Sequence, residues 1–169
     1  MKVKSFALGM TFLLTLILSA CGSTSKVGIN EISLKELEKK FDNKETFLLL
    51  AYAENQDDID RTNFIKAYDQ ALKDYNLKAY FINMIDMDED ELEVLENKYE
   101  HPDSRGGWSP SYAELTLVVD GLAGLENGYD HKNKDWLNDG KDYLKEMDNI
   151  NSGIKDILAY LSAHNIEIK

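Results

Sequence analysis

Apolar and polar positions alternate along the chain in blocks that predict helix and strand in turn. Ser33-Leu34-Lys35-Glu36 has Ser at N-cap and Glu at N3, the spacing of a capping box, and predicts a first helix running to about Phe41. Thr46 to Ala53 (TFLLLAYA) is a continuous apolar run, the signature of a strand buried on both faces. From Arg61 to Tyr75, Phe64, Tyr68, Ala71, Leu72 and Tyr75 recur at helical spacing, and Asn76 is a stop signal. Leu77 to Ile85 (LKAYFINMI) predicts a second strand. Asp88 to Tyr99 predicts a third helix, with Leu92, Leu95 and Tyr99 on one face and acids at its positive end. Residues 100–113 carry Gly, Pro and Ser and read as a loop. Leu115 to Val119 predicts a third strand, Asp120-Gly121 a two-residue hairpin turn, and Leu122 the start of a short fourth strand. Gly128 to Asp139 is polar. A last helix within residues 140–163 buries Ile150, Ile154, Ile157, Leu158 and Leu161.

Strands joined through helices pair in parallel, and the hairpin adds an antiparallel edge. The expected architecture is therefore α/β: a small mixed sheet of about four strands with helices on both faces. At 169 residues the chain suits one compact domain.

The first twenty residues follow a different logic. Lys2 and Lys4 precede an uncharged run from Phe6 to Leu18, and Ser19, Ala20 and Cys21 follow. A basic start, an apolar core and small residues at a cut site predict a signal peptide over residues 1–20. The apolar run is shorter than the ~20 residues a spanning helix needs. Leu18-Ser19-Ala20-Cys21 resembles the lipobox of bacterial lipoproteins. That resemblance implies a diacylglyceryl group on the Cys21 sulfur, a palmitate-type anchor, and a mature chain beginning there. Residues 21–28 read as the lipidated Cys and a flexible tether, and residues 29–169 as the domain. The implied location is the extracytoplasmic face of a cell membrane, and the Lys-, Asp- and Asn-rich composition is in keeping with a low-GC Gram-positive bacterium.

Composition narrows the chemistry. Nineteen Lys and Arg against 31 Asp and Glu give a net charge of −12, and loss of Lys2 and Lys4 with the signal would leave −14. Such a balance argues against nucleic acid and against electrostatic docking on anionic lipid. One Cys excludes an intrachain disulfide framework, and three dispersed His give no metal-ligand spacing, so neither metal nor cofactor is expected. Asp86-x-Asp88-x-Asp90 imitates the opening of a calcium loop. However, Glu91 stands where Gly is required and Asn97 where a bidentate Glu belongs, which leaves an acid-rich helix start.

Three passages resemble the thioredoxin superfamily: Ile32–Lys40 before an apolar strand, Ala71–Tyr80 as a helix end entering the next strand, and Leu115–Gly121 as a hairpin. The resemblance covers roughly residues 29–165 and implies a thioredoxin-like three-layer sandwich, similar to thioredoxin-like bacterial lipoproteins and bacteriocin-transport accessory proteins. The family's Cys-x-x-Cys would fall within residues 54–61 (ENQDDIDR), which contain no sulfur. Thiol–disulfide exchange needs one thiolate to attack and a second thiol to resolve, so the chain is not a dithiol oxidoreductase. The family's cis-Pro would fall at Ala113, with Pro110 the nearest proline. Either an extended strand lets Pro110 take that place, or the cis bond is absent.

The resemblance brings the acidic segment beside the 100–113 loop, on the face where family members bind extended polypeptide. Tyr52, Glu54, Asp57, Asp58, Asp60, Trp108, Ser109, Pro110 and Tyr112 form the candidate binding face. Trp108 and Tyr112 have two open readings, as exposed contacts or as caps on the core. The expected function is a redox-inactive accessory module with a protein or peptide partner. The alternatives are an envelope hydrolase using Asp58 and Asp60, and a role in bacteriocin export or immunity.

Overall fold

A computed structural model describes residues 26–52, 61–102, 104, 108–109, 115–124 and 143–168. Their elements run β1 (Gly28–Glu31), α1 (Leu34–Asp42), β2 (Phe47–Tyr52), α2 (Arg61–Asp74), β3 (Lys78–Asn83), α3 (Glu89–Tyr99), β4 (Leu115–Val118) and α4 (Tyr143–His164). The sheet order is β1-β3-β2-β4. β1 and β2 each lie parallel to β3, and β4 lies antiparallel to β2.

The unbroken apolar run of β2 is explained by what covers it. Side chains alternate across a strand: Leu48, Leu50 and Tyr52 pack with residues of α2 and α4, whereas Phe47, Leu49 and Ala51 pack with residues of α1 and α3. All six are buried. Helices thus cover both faces of a mixed sheet, as the sequence predicts.

The helix ends follow their sequence signals. α1 starts on a complete capping box between Ser33 and Glu36, and α3 on another between Asp88 and Glu91. α2 ends with Asn76 in the left-handed region, φ 54°; Leu77 N–H donates to Leu72 O at 2.8 Å and Asn76 N–H to Lys73 O at 3.0 Å, a Schellman pair. α1 closes the same way around Lys44.

Two parts of the sheet differ from the sequence reading. β1 is a strand that hydrophobic patterning does not reveal, and it begins at Gly28, inside the stretch read as tether. Its outer edge is met by α2: Asp69 Oδ1 accepts from Ile29 N–H at 3.0 Å and Asp69 Oδ2 pairs with Lys73 Nζ at 2.5 Å. Gly28 permits this approach. Its φ is +97°, and a Cβ there would lie 2.4 Å from Asp69 Oδ1. The second difference lies beyond the hairpin, where Leu122 does not open a fourth strand. Val119 and Leu122 form a single antiparallel bridge, and the chain then turns to a parallel bridge between Ala123 and Glu100. Among the described residues the sheet therefore has four strands, but β1 rather than the Leu122 segment is one of them. Pro110 and Ala113 lie outside the described residues.

Burial works against the charge on Asp69, but the Lys73 ammonium and the Ile29 N–H outweigh it and hold the carboxyl below its ordinary pKa. A depressed folded value stabilises the fold in full above the unfolded value, about 3.9, and the gain is lost as pH falls through the folded value. Asp69→Asn should therefore cost up to about 1 kcal/mol at pH 7, and variant and parent should draw together at a pH well below about 3.9. Urea unfolding at the two pH values checks this. An unchanged difference at low pH would contradict it.

Candidate functional site

In an open sheet with parallel strands, ligands bind outside the carboxyl ends of those strands. Here that end of the sheet is where Glu31, Tyr52 and Asn83 finish β1, β2 and β3. β2 and β3 are tied together there, with Tyr52 opposite Asn83 and Met84 N–H donating to Tyr52 O at 2.7 Å. α1 and α3 both begin at this end, so their positive ends point to it. Neither is open to an anion. Ser33 Oγ and Asp88 Oδ1 each accept from the third helical N–H, and Glu36 and Glu91 return the bond to the cap N–H. Hydrogen bonds from the Ser33 N–H and hydroxyl hold Glu36 below the usual carboxylate range.

What remains exposed at this end is acidic. Asp86, Asp88, Glu89, Asp90 and Glu91 follow β3, all exposed. Asp88 acts as the cap of α3, which accounts for its place in the calcium-loop imitation. The segment joining β2 to α2 carries Glu54, Asp57, Asp58 and Asp60 in sequence. These four, with Cys21, Pro110 and Tyr112, lie outside the described residues. Among the described residues no group of three His, Cys, Asp or Glu is arranged to hold a metal ion. The arrangement suits acceptance of hydrogen bonds and attraction of cationic groups.

Of the described members of the candidate face, Tyr52 and Trp108 turn inward and Ser109 is half-buried. Tyr52 is 2% exposed and packs in the α2/α4 core. Trp108 is 2% exposed, so of its two readings the buried one holds. Its ring lies 5.9 Å from that of Phe41, which stacks on Tyr99 at 4.2 Å and meets Phe47, the first residue of β2, at 5.6 Å. Trp108 thus belongs to the core under α1 and α3, toward the start of β2 rather than its carboxyl end. Ser109 Oγ donates to Glu96 Oε1 on α3, which fastens Ser109 to that helix.

Sequence reasoning missed two polar clusters. Lys40 Nζ pairs with Glu45 at 2.8 Å and stands 4.1 Å from the Tyr80 ring centroid. Burial opposes its charge, but bonds to Glu45 and Tyr80 more than compensate, and its pKa is raised. At the end of α3, Tyr99 Oη donates to Asp42 at 3.1 Å and accepts from Lys98 Nζ at 2.6 Å. Burial is the main cause of the raised Tyr99 pKa. Both clusters seal the rim of the α1/α3 core, and neither opens onto the acidic end.

No family model matches the chain, and neither the curated proteins nor the solved structures searched yield a match. Among the described residues no helix is long and apolar enough to cross a membrane.

Proposed function

We propose that this chain is a membrane-anchored, redox-inactive, thioredoxin-like lipoprotein that serves as a polypeptide-binding or accessory module at the cell envelope. The observation that carries the reading is the placement of sulfur. The one Cys stands at position 21, in the lipobox-like Leu-Ser-Ala-Cys, while the junction between β2 and α2 carries acids instead. Parallel strands linked through helices on both faces support the family resemblance, as does an antiparallel β4 leading into the Asp120-Gly121 turn. With its single Cys acylated, the chain has no thiolate for exchange.

With Trp108 and Tyr52 inside the core, the binding role falls to carboxylates. Glu54, Asp57, Asp58 and Asp60 follow β2, and the exposed acids from Asp86 to Glu91 follow β3. A face of this kind favours an extended segment rich in Lys and Arg, drawn in by long-range attraction that salt weakens. A photo-crosslinking residue at Asp58 of the full chain in intact cells should capture a polypeptide. The same residue at Lys155, exposed on α4, should not. Equal capture at both positions, or none at Asp58, would contradict the assignment of the face.

A further inference from the structure

The Asp120-Gly121 peptide is fragile by its chemistry and locked by the fold. A carboxyl group stands one residue before a peptide nitrogen that no Cβ shields. In an unfolded chain that nitrogen can attack Asp120 Cγ. A new N–Cγ bond closes a five-membered succinimide, while the amide hydrogen and one carboxylate oxygen leave as water with a proton from solvent. Water then opens the ring at either carbonyl. Opening at the former main-chain carbonyl returns the proton and leaves the backbone running through Cγ. The product is an isoaspartyl linkage, with one extra methylene in the main chain.

The fold blocks the first step. Asp120 is exposed, but Gly121 is buried. Gly121 N–H donates to Glu45 O at 3.0 Å, so the hydrogen that must depart is held by the segment leaving α1. Asp120 N–H donates to Thr46 Oγ1 at 3.2 Å and fixes the turn from its other side. Closing the ring would draw Gly121 N toward the side chain and break its bond to Glu45. Nor can the turn lift by itself. Val118 before it and Ala123 after it are both fully buried, in the core that holds Phe41 and Trp108. Ala123 N–H donates to Tyr99 O at 2.8 Å, and Ala123 O accepts from His101 N–H at 2.7 Å. Freeing Gly121 therefore means opening the core under α1 and α3.

We propose that Asp120 is a modification site gated by folding: it isomerises only in the unfolded chain, and the product cannot close the hairpin again. Val119 and Leu122 are joined across two residues by bonds of 2.9 and 3.0 Å. A main chain one methylene longer cannot keep both bonds, nor the close approach of Gly121 to the Phe41 carbonyl oxygen. Water is the only co-reactant. The site is a one-way latch that records unfolding as a covalent change. It operates whether or not Cys21 carries lipid.

The test holds the full chain near neutral pH in guanidinium chloride, from none to about 6 M. Samples taken over days are digested, and the isomeric peptides spanning residue 120 are separated by chromatography and identified by mass spectrometry. Cyclisation is slow beside opening and closing, so its rate should follow the unfolded fraction. Native protein should convert at least about a hundredfold more slowly than protein in about 6 M denaturant. Similar rates in both overturn the gate, as does conversion that rises ahead of the unfolding transition. Asp139-Gly140 supplies the same dipeptide as a standard in denaturant. Conversion there without conversion at Asp120 overturns the site itself. Chains carrying isoaspartate at position 120, once refolded, should melt at least about 6 °C below the parent. An unchanged midpoint overturns the latch.

Discussion

Trp108→Ala should melt roughly 10 °C below the parent chain. The indole is 2% exposed and packs on Phe41, itself at the centre of the contacts to Tyr99 and Phe47. Truncating a buried Trp costs about 3–5 kcal/mol through lost burial and the cavity left behind. In a domain of this size each kcal/mol moves the midpoint by about 2–4 °C. Thermal unfolding followed by circular dichroism checks it, and a shift under about 2 °C would mean that the ring is not in the core. There is a consequence for binding experiments: lost partner recovery with Trp108→Ala would report unfolding as much as recognition. Asp58 and Tyr112 are the positions at which recognition should be probed.

Gly121→Ala should be nearly as damaging, though it adds one methyl group. Asp120 and Gly121 have φ of 51° and 73°, the two positive values of a type I′ turn. Val119 and Leu122 close it with paired bonds of 2.9 and 3.0 Å. The turn is pressed against the end of α1, where Gly121 N–H donates to Glu45 O at 3.0 Å. A Cβ on Gly121 would lie 2.1 Å from the Phe41 carbonyl oxygen, a backbone atom that cannot step aside. The left-handed conformation costs a non-glycine residue about 1–2 kcal/mol, and moving the hairpin off α1 adds to it. A total of about 3 kcal/mol, or roughly 6–12 °C, is expected. Asp120→Asn, which keeps a side chain tolerant of positive φ, should stay within about 0.5 kcal/mol of the parent. Equal melting of the two variants would contradict the close contact with α1.

These two positions mark what the sequence could and could not disclose. The Asp-Gly pair announces its turn because few residues accept two successive positive φ values, and the turn forms where the signal stands. The capping box at Ser33 and the stop at Asn76 are equally local, and so were legible, whereas the second box, Asp88 with Glu91, reads in sequence only as an acid-rich helix start. β2 was legible because burial on both faces leaves no polar position to confuse the pattern. β1 was not. Gly-Ile-Asn-Glu is four residues long, holds one large apolar side chain, and is made a strand by pairing with β3 and by Asp69 on its edge. Asp69 itself looks in sequence like any carboxylate on the polar face of α2. Trp108 sits in a Gly-, Ser- and Pro-containing stretch with no periodicity, where no local rule says whether a ring turns in or out. The acids after β3 were visible in sequence, but only the strand directions set them at the end of the sheet opposite the start of β1.

The claim on which the account rests is that Cys21 carries lipid and the chain has no free thiol. Intact mass of the protein extracted from bacterial membranes tests it most directly. The account predicts a chain beginning at Cys21, heavier than its residues by a diacylglyceryl group and unreactive toward thiol reagents. A species that keeps residues 1–20 or presents a free Cys21 sulfhydryl would contradict it.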